Sequence, residues 1–149
     1  MEDCKPSKLK IVVTLGYSLL LMASSLIPMH QDARMLRFLL DLKPTLQNLL
    51  HIPAFAILTV LCLQVLSYSP MAMPRKVLLV LGFSILFGIS NELVQWAVPG
   101  RYPGILDIML NSVGSFLGIG IYMMAERRHS GLIRSVVCGR SRKEHFQTG

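Results

Sequence analysis

The feature that most limits how this chain can fold is the spacing of its charge. Residues 11–31, 44–73, 77–91 and 108–125 contain no Asp, Glu, Lys or Arg. A helix needs about 20 apolar residues to cross the ~30 Å hydrocarbon core of a bilayer; the first, second and fourth stretches come close to or exceed that, and the third does when continued past Glu92 to Val98. Inside lipid, only helices and closed barrels satisfy the backbone, and long apolar runs without strict alternation are helical. The chain is 52% hydrophobic over 149 residues, more than one soluble core of this size takes, so the excess must face lipid. The fold expected is therefore all-α: a polytopic membrane protein with four transmembrane helices in a domain covering 1–125, followed by a basic, mobile tail at 126–149.

Lys5, Lys8 and Lys10 precede the apolar heart of the first span, residues 11–27, and Pro28 follows it. A cleaved signal peptide is the competing reading, since Ala23, Ser24 and Ser25 are small. The run is longer than a typical signal core and three spans follow, which favours a retained anchor. The connector at 29–43 holds Asp32, Arg34, Arg37 and Asp41 among Met35, Leu36, Phe38, Leu39 and Leu40, as a shielding loop or short interfacial helix would. In the second span Pro53 either kinks a helix begun near Thr45 or sits in the first turn of one beginning after His51. The third span runs from Val77 to about Val98, where Pro99 and Gly100 end it, and the fourth follows Gly104. So short a connector forces helices three and four into an antiparallel hairpin.

With four spans, eleven of the fifteen Lys and Arg fall on the side of the two termini and four on the other. The positive-inside rule then makes both termini cytoplasmic in a cell-membrane protein. Trp96 and Tyr102 would lie at the outer interface, and Tyr68 and Tyr122 nearer the inner one. The net charge of +7 reflects these topology signals and the tail, so anionic lipid rather than nucleic acid is the expected partner. Cys4, Cys62 and Cys138 form no CxxC pair, which argues against a zinc site or disulfide framework. No cofactor or metal is indicated, although His51, Glu92 and Asp107 are side chains able to ligate one. Oligomeric state is not encoded in any of these patterns.

This topology brings His51, Asn91, Glu92, Gln95, Arg101, Asp107 and Asn111 toward one membrane face. With Pro99 and Gly104 as helix ends, a rise of ~1.5 Å per residue puts Glu92 and Asn111 roughly 10 Å down and Gln95 and Asp107 about 5 Å down. Ser84, Gly88, Glu92 and Gln95 form one helical stripe, and Asp107, Asn111, Gly114 and Gly118 another. Small residues on a stripe let helices approach closely, so both should face protein. A carboxylate at mid-span costs ~2.5–3.5 kcal/mol, and Glu92 therefore calls for a cation such as Arg101 or His51, or a wet cavity. A structural ion pair locking the hairpin accounts for Glu92 as well as a functional site does. Asp107 alone reads as a first-turn acid favoured by the helix dipole, and His51 alone as a satisfied polar residue at a span entrance.

Asn91-Glu92-Leu93-Val94-Gln95, then Pro99-Gly100-Arg101, then Asp107-Ile108, Asn111, Gly114 and Gly118 resemble the signature of the VanZ-like membrane protein family. His51, in Leu50-His51-Ile52-Pro53, resembles that family's upstream histidine, and the likeness spans roughly 49–122, with the first helix matching only in character. The family often carries an Asp-Lys pair shortly before the histidine. Here Gln47 and Asn48 stand there, and Lys43 is farther away. The resemblance implies a link to resistance to the glycopeptide teicoplanin, and no established reaction.

Two functions fit these residues. One is an envelope protein whose outward-facing polar pocket binds or processes the headgroup of a membrane lipid or lipid-linked cell-wall precursor. In it His51, Glu92 and Asp107 are the candidate catalytic groups, and Arg101, Gln95 and Asn111 the candidate ligand-binding ones. The other is a non-enzymatic membrane component in which the same side chains only hold the hairpin together. The residues leave open whether binding is followed by chemistry.

Overall fold

The structure is a computed structural model that describes residues 7–26, 48–98 and 104–147, with side chains up to residue 128. It is all-helical over those residues: α1 (Lys8–Ser25), α2 (His51–Leu66), α3 (Met73–Trp96) and α4 (Ile105–Gln147). Three apolar segments, Lys8–Ser25, Met73–Trp96 and Ile105–Arg128, are long enough to cross a membrane. At 16 residues α2 is a shorter apolar helix of ~24 Å, against the ~30 Å of a hydrocarbon core. The interfacial segment expected at 29–43, the start near Thr45 and the hairpin tip with Arg101 and Tyr102 lie outside the described residues.

Local chemistry sets the helix ends. Ser7 caps α1, its Oγ accepting the Lys10 N–H at 3.4 Å. Because α2 starts at His51, Pro53 occupies its first turn, where the missing N–H costs no helical bond, and the next bond runs from Ala54 N to the Leu50 carbonyl at 3.2 Å. Over the described residues Pro53 thus sits in the first turn of a helix starting at His51, and the alternative start near Thr45 lies outside them. For the same reason Pro74 does not precede α3 but lies in its first turn, so the helix begins at Met73, earlier than Val77. It ends at Trp96, where the N–H groups of Ala97 and Val98 reach back three residues to Val94 and Gln95 and tighten the last turn.

Residues 1–119 make one compact unit. Within it α1 packs on α2 and α3, and α2 packs on α3. Lys10 Nζ donates to Tyr68 Oη at 2.8 Å just past the end of α2, and Lys76 Nζ at the start of α3 donates to the Ser67 carbonyl at 3.1 Å. At the opposite end Ser25 meets Asn91. The helices therefore run alternately up and down. Because Tyr17 donates to the Ala54 carbonyl at 3.0 Å and Ser25 is buried, α1 is an integral wall of the bundle.

Two glycines let α4 lie against the backbone of α2. A Cβ at Gly114 would overlap the Ile52 carbonyl, and one at Gly118 would lie 2.5 Å from the Ala56 carbonyl oxygen and 2.9 Å from the Thr59 Cβ. Any side chain at either position would force the two helices apart. The apolar core is small, centred on Phe55, Leu58, Leu63 and Val80, whereas Leu78, Leu86, Ile105, Phe116 and Met124 face outward. That inversion is what a lipid-embedded bundle requires. Residues 120–149 form a second unit, whose described part is the remainder of α4.

Candidate functional site

Nearly every polar side chain the sequence singled out is buried at one end of this bundle. Asn91, Glu92 and Gln95 occupy the last turns of α3, and Asp107 and Asn111 the first turns of α4, each less than a tenth exposed. His51, half-buried, opens α2. Both stripes read from the sequence are interior: Ser84, Gly88, Glu92 and Gln95 on α3, and Asp107, Asn111, Gly114 and Gly118 on α4. A polar group in lipid must find protein partners, which is why these faces turn inward.

The hairpin register differs from the level-matching of Glu92 with Asn111. Asn111 lies instead against Gly88, where an added Cβ would stand 3.0 Å from Nδ2, and Glu92 Oε2 accepts the Gly104 N–H at 3.3 Å. The pairing is offset by about one turn, since α3 ends at Trp96, before Val98. Glu92 thus places a carboxylate at the N-terminus of α4, where free N–H groups and the helix dipole favour negative charge. Asp107 approaches the same glycine from within α4, its Oδ2 lying 3.0 Å from where a Gly104 Cβ would be. Both acids converge on Gly104.

His51 Nδ1 and Asn111 Oδ1 are 2.9 Å apart and tie α2 to α4. With Asn111 presenting its oxygen, Nδ1–H is the donor in this bond and Nε2 is not engaged in it. On the other side of the cluster, the Ser25 hydroxyl donates to Asn91 Oδ1 at 2.7 Å and accepts from Gln95 Nε2 at 3.4 Å. Ser25 was missed as anything but a small residue of a cleavage motif. Lys10, Thr14, Tyr17, Leu21 and Ser25, at steps of four, three, four and four, mark the face of α1 that turns inward, and that spacing was the available signal.

On α2, α3 and α4, fully buried polarity continues one turn inward and then stops. Thr59 Oγ1 and Ser84 Oγ share a buried hydrogen bond at 3.3 Å, and Ser115 Oγ donates to the Asn111 carbonyl at 3.0 Å. One further turn along each helix, Leu63, Val80 and Ile119 are buried and apolar. On these three helices the cluster is therefore polar toward one end of the bundle and floored by apolar side chains toward the other.

Arg101 lies outside the described residues, so its distance to Glu92 or Asp107 is not part of this geometry. Among the described residues, no three His, Cys, Asp or Glu side chains gather as a metal-binding set. The VanZ/LLP1 family model matches residues 7–126. The chain belongs to the VanZ/LLP1 family. The match takes in α1, which on sequence reading resembled the family only in character, and ends just before the basic segment. Within this VanZ/LLP1 protein, the motif residues His51, Glu92, Gln95, Asp107 and Asn111 are the ones the fold gathers at one end. No curated protein and no solved structure matches the chain.

Proposed function

We propose that this VanZ/LLP1 membrane protein binds or processes the headgroup of a lipid or lipid-linked cell-wall precursor at the polar end of its bundle. The observation that carries this reading is the one-sidedness of the cluster: acids, amides and an imidazole at one end, hydroxyls beneath them, and an apolar floor of Leu63, Val80 and Ile119. A headgroup entering from one leaflet needs such a blind site, whereas a transporter needs polarity continuing to the far side. In this reading Arg101 pairs with phosphate or carboxylate, His51 Nε2 and Glu92 exchange protons, and Asp107, Gln95 and Asn111 orient the ligand. The teicoplanin association of the family fits a cell-wall precursor as the ligand.

Arg101→Ala is expected to weaken binding of a polyprenyl phosphate to the detergent-solubilised protein by roughly tenfold or more, as losing one side of a charge-assisted pair does. Unchanged binding by the folded variant would remove Arg101 from the site. The charge distribution supports an outward-facing cluster with cytoplasmic termini. A cysteine introduced at Tyr102 is then labelled from outside the cell by a membrane-impermeant thiol reagent, while Cys138 is protected until the membrane is opened. Outside labelling of Cys138 would reverse the orientation.

The alternative is a non-enzymatic component held together by the same side chains. The Ser25–Asn91–Gln95 bonds and the Glu92 contact with Gly104 favour it, since they join helices without needing a ligand.

A further inference from the structure

Two buried atoms on α4 have no hydrogen-bond partner among the described residues: Asp107 Oδ1 and Asn111 Nδ2. Their residues are 8% and 2% exposed, in a setting where bulk water is not at hand to complete the bonds. The two are opposite in kind, because a carboxylate oxygen only accepts and an amide nitrogen only donates. His51 engages the oxygen end of Asn111, which leaves the nitrogen end open, and Gly88 provides the room in which that amide sits.

Four residues apart on one helix face, the two side chains start ~5–6 Å from one another. Neighbouring side chains on one face can share a single bridging group, one hydrogen bond to each. Phosphate oxygen would satisfy Asn111 and be repelled by Asp107, and an ammonium group would do the reverse. A hydroxyl donates to one and accepts from the other. Resting on the headgroup reading above, we infer that the site selects hydroxylated headgroups, glycerol or sugar, by holding one hydroxyl between Asp107 and Asn111.

Phosphatidylglycerol and phosphatidylpropanol of matched acyl chains have the same charge and differ only in the two hydroxyls of the glycerol headgroup. Titrated against the full-length protein in detergent and read by native mass spectrometry, phosphatidylglycerol is expected to bind about tenfold more tightly, since a site built to hydrogen-bond a hydroxyl rejects the analogue lacking it. Asp107→Asn, nearly isosteric, should narrow that preference to about twofold, and Asn111→Ala should narrow it likewise. Equal binding of the two lipids to the wild-type protein overturns the hydroxyl inference and leaves the headgroup reading standing. If neither lipid binds more tightly than phosphatidylcholine, the headgroup reading is overturned along with the inference. A preference that survives both substitutions overturns the assignment to these two residues. The comparison of lipids on the wild-type chain decides the question even if a variant fails to fold.

Discussion

The α1–α3 side of the polar cluster and the α2–α4 side are built from similar residues, but their hydrogen bonding differs. On the first, Ser25 stands between Asn91 and Gln95, and no fully buried nitrogen or oxygen of these three side chains is left over. On the second, His51 and Asn111 make one bond, while Asn111 Nδ2 and Asp107 Oδ1 are left open among the described residues. Buried polar groups in folded proteins are nearly always paired, so a closed set is explained by packing and an open set calls for a further partner. Helix contact is also unlike on the two sides. Gly114 and Gly118 hold α4 against the backbone of α2, so the open valences are not the result of loose packing.

Glu92 stands between the two sides, on α3 but reaching the start of α4, and the largest effect is expected there. Neutralising one member of a Glu92–Arg101 pair should cost about 3–5 kcal/mol by stranding the other in a poorly solvated site. Glu92→Gln and Arg101→Gln together should cost less than the sum of the two. Thermal unfolding in detergent of the two single variants and the double variant measures the coupling. The same cycle with Asp107→Asn in place of Glu92→Gln should be additive, because Asp107 belongs to the open side. Strong coupling to Asp107 would move Arg101 across the comparison, and additivity in both cycles would dissolve the cluster as a coupled site.

Much of this arrangement was legible in the sequence, for a physical reason. A polar side chain in an otherwise apolar span has few places to go, so the spacing of Ser84, Gly88, Glu92 and Gln95, and of Asp107, Asn111, Gly114 and Gly118, gave the buried faces directly. Axial register was not legible, because it depends on where α3 stops, and periodicity is silent on that. Pro53 was ambiguous for a related reason: proline is tolerated in a first turn and disruptive later, and only the helix start tells which applies. Ser25 was hidden by a second plausible role for small residues after an apolar run. The open valences could not be read at all, since satisfaction is a property of pairs in space.

The smallest expected effect is also the one that most directly sets the two sides against each other. Ser25→Ala removes the hydroxyl that bridges Asn91 and Gln95, and hydrogen bonds between membrane helices are worth only about 0.6 kcal/mol on average, up to about 1.7. A loss of stability in that range, with phosphatidylglycerol binding unchanged, is the outcome if the α1–α3 side is purely structural. His51→Ala removes one bond of the same class, to Asn111, so its stability cost should be similar. Its binding cost should not be, because it frees the oxygen end of Asn111 and with it the orientation that points Nδ2 at a ligand hydroxyl. A roughly tenfold loss of phosphatidylglycerol binding is expected for His51→Ala, against less than about twofold for Ser25→Ala. Equal stability costs with unequal binding costs separate the closed set from the open one. If Ser25→Ala impairs binding as much as His51→Ala does, the cluster acts as one network, and the distinction drawn from its unpaired atoms fails.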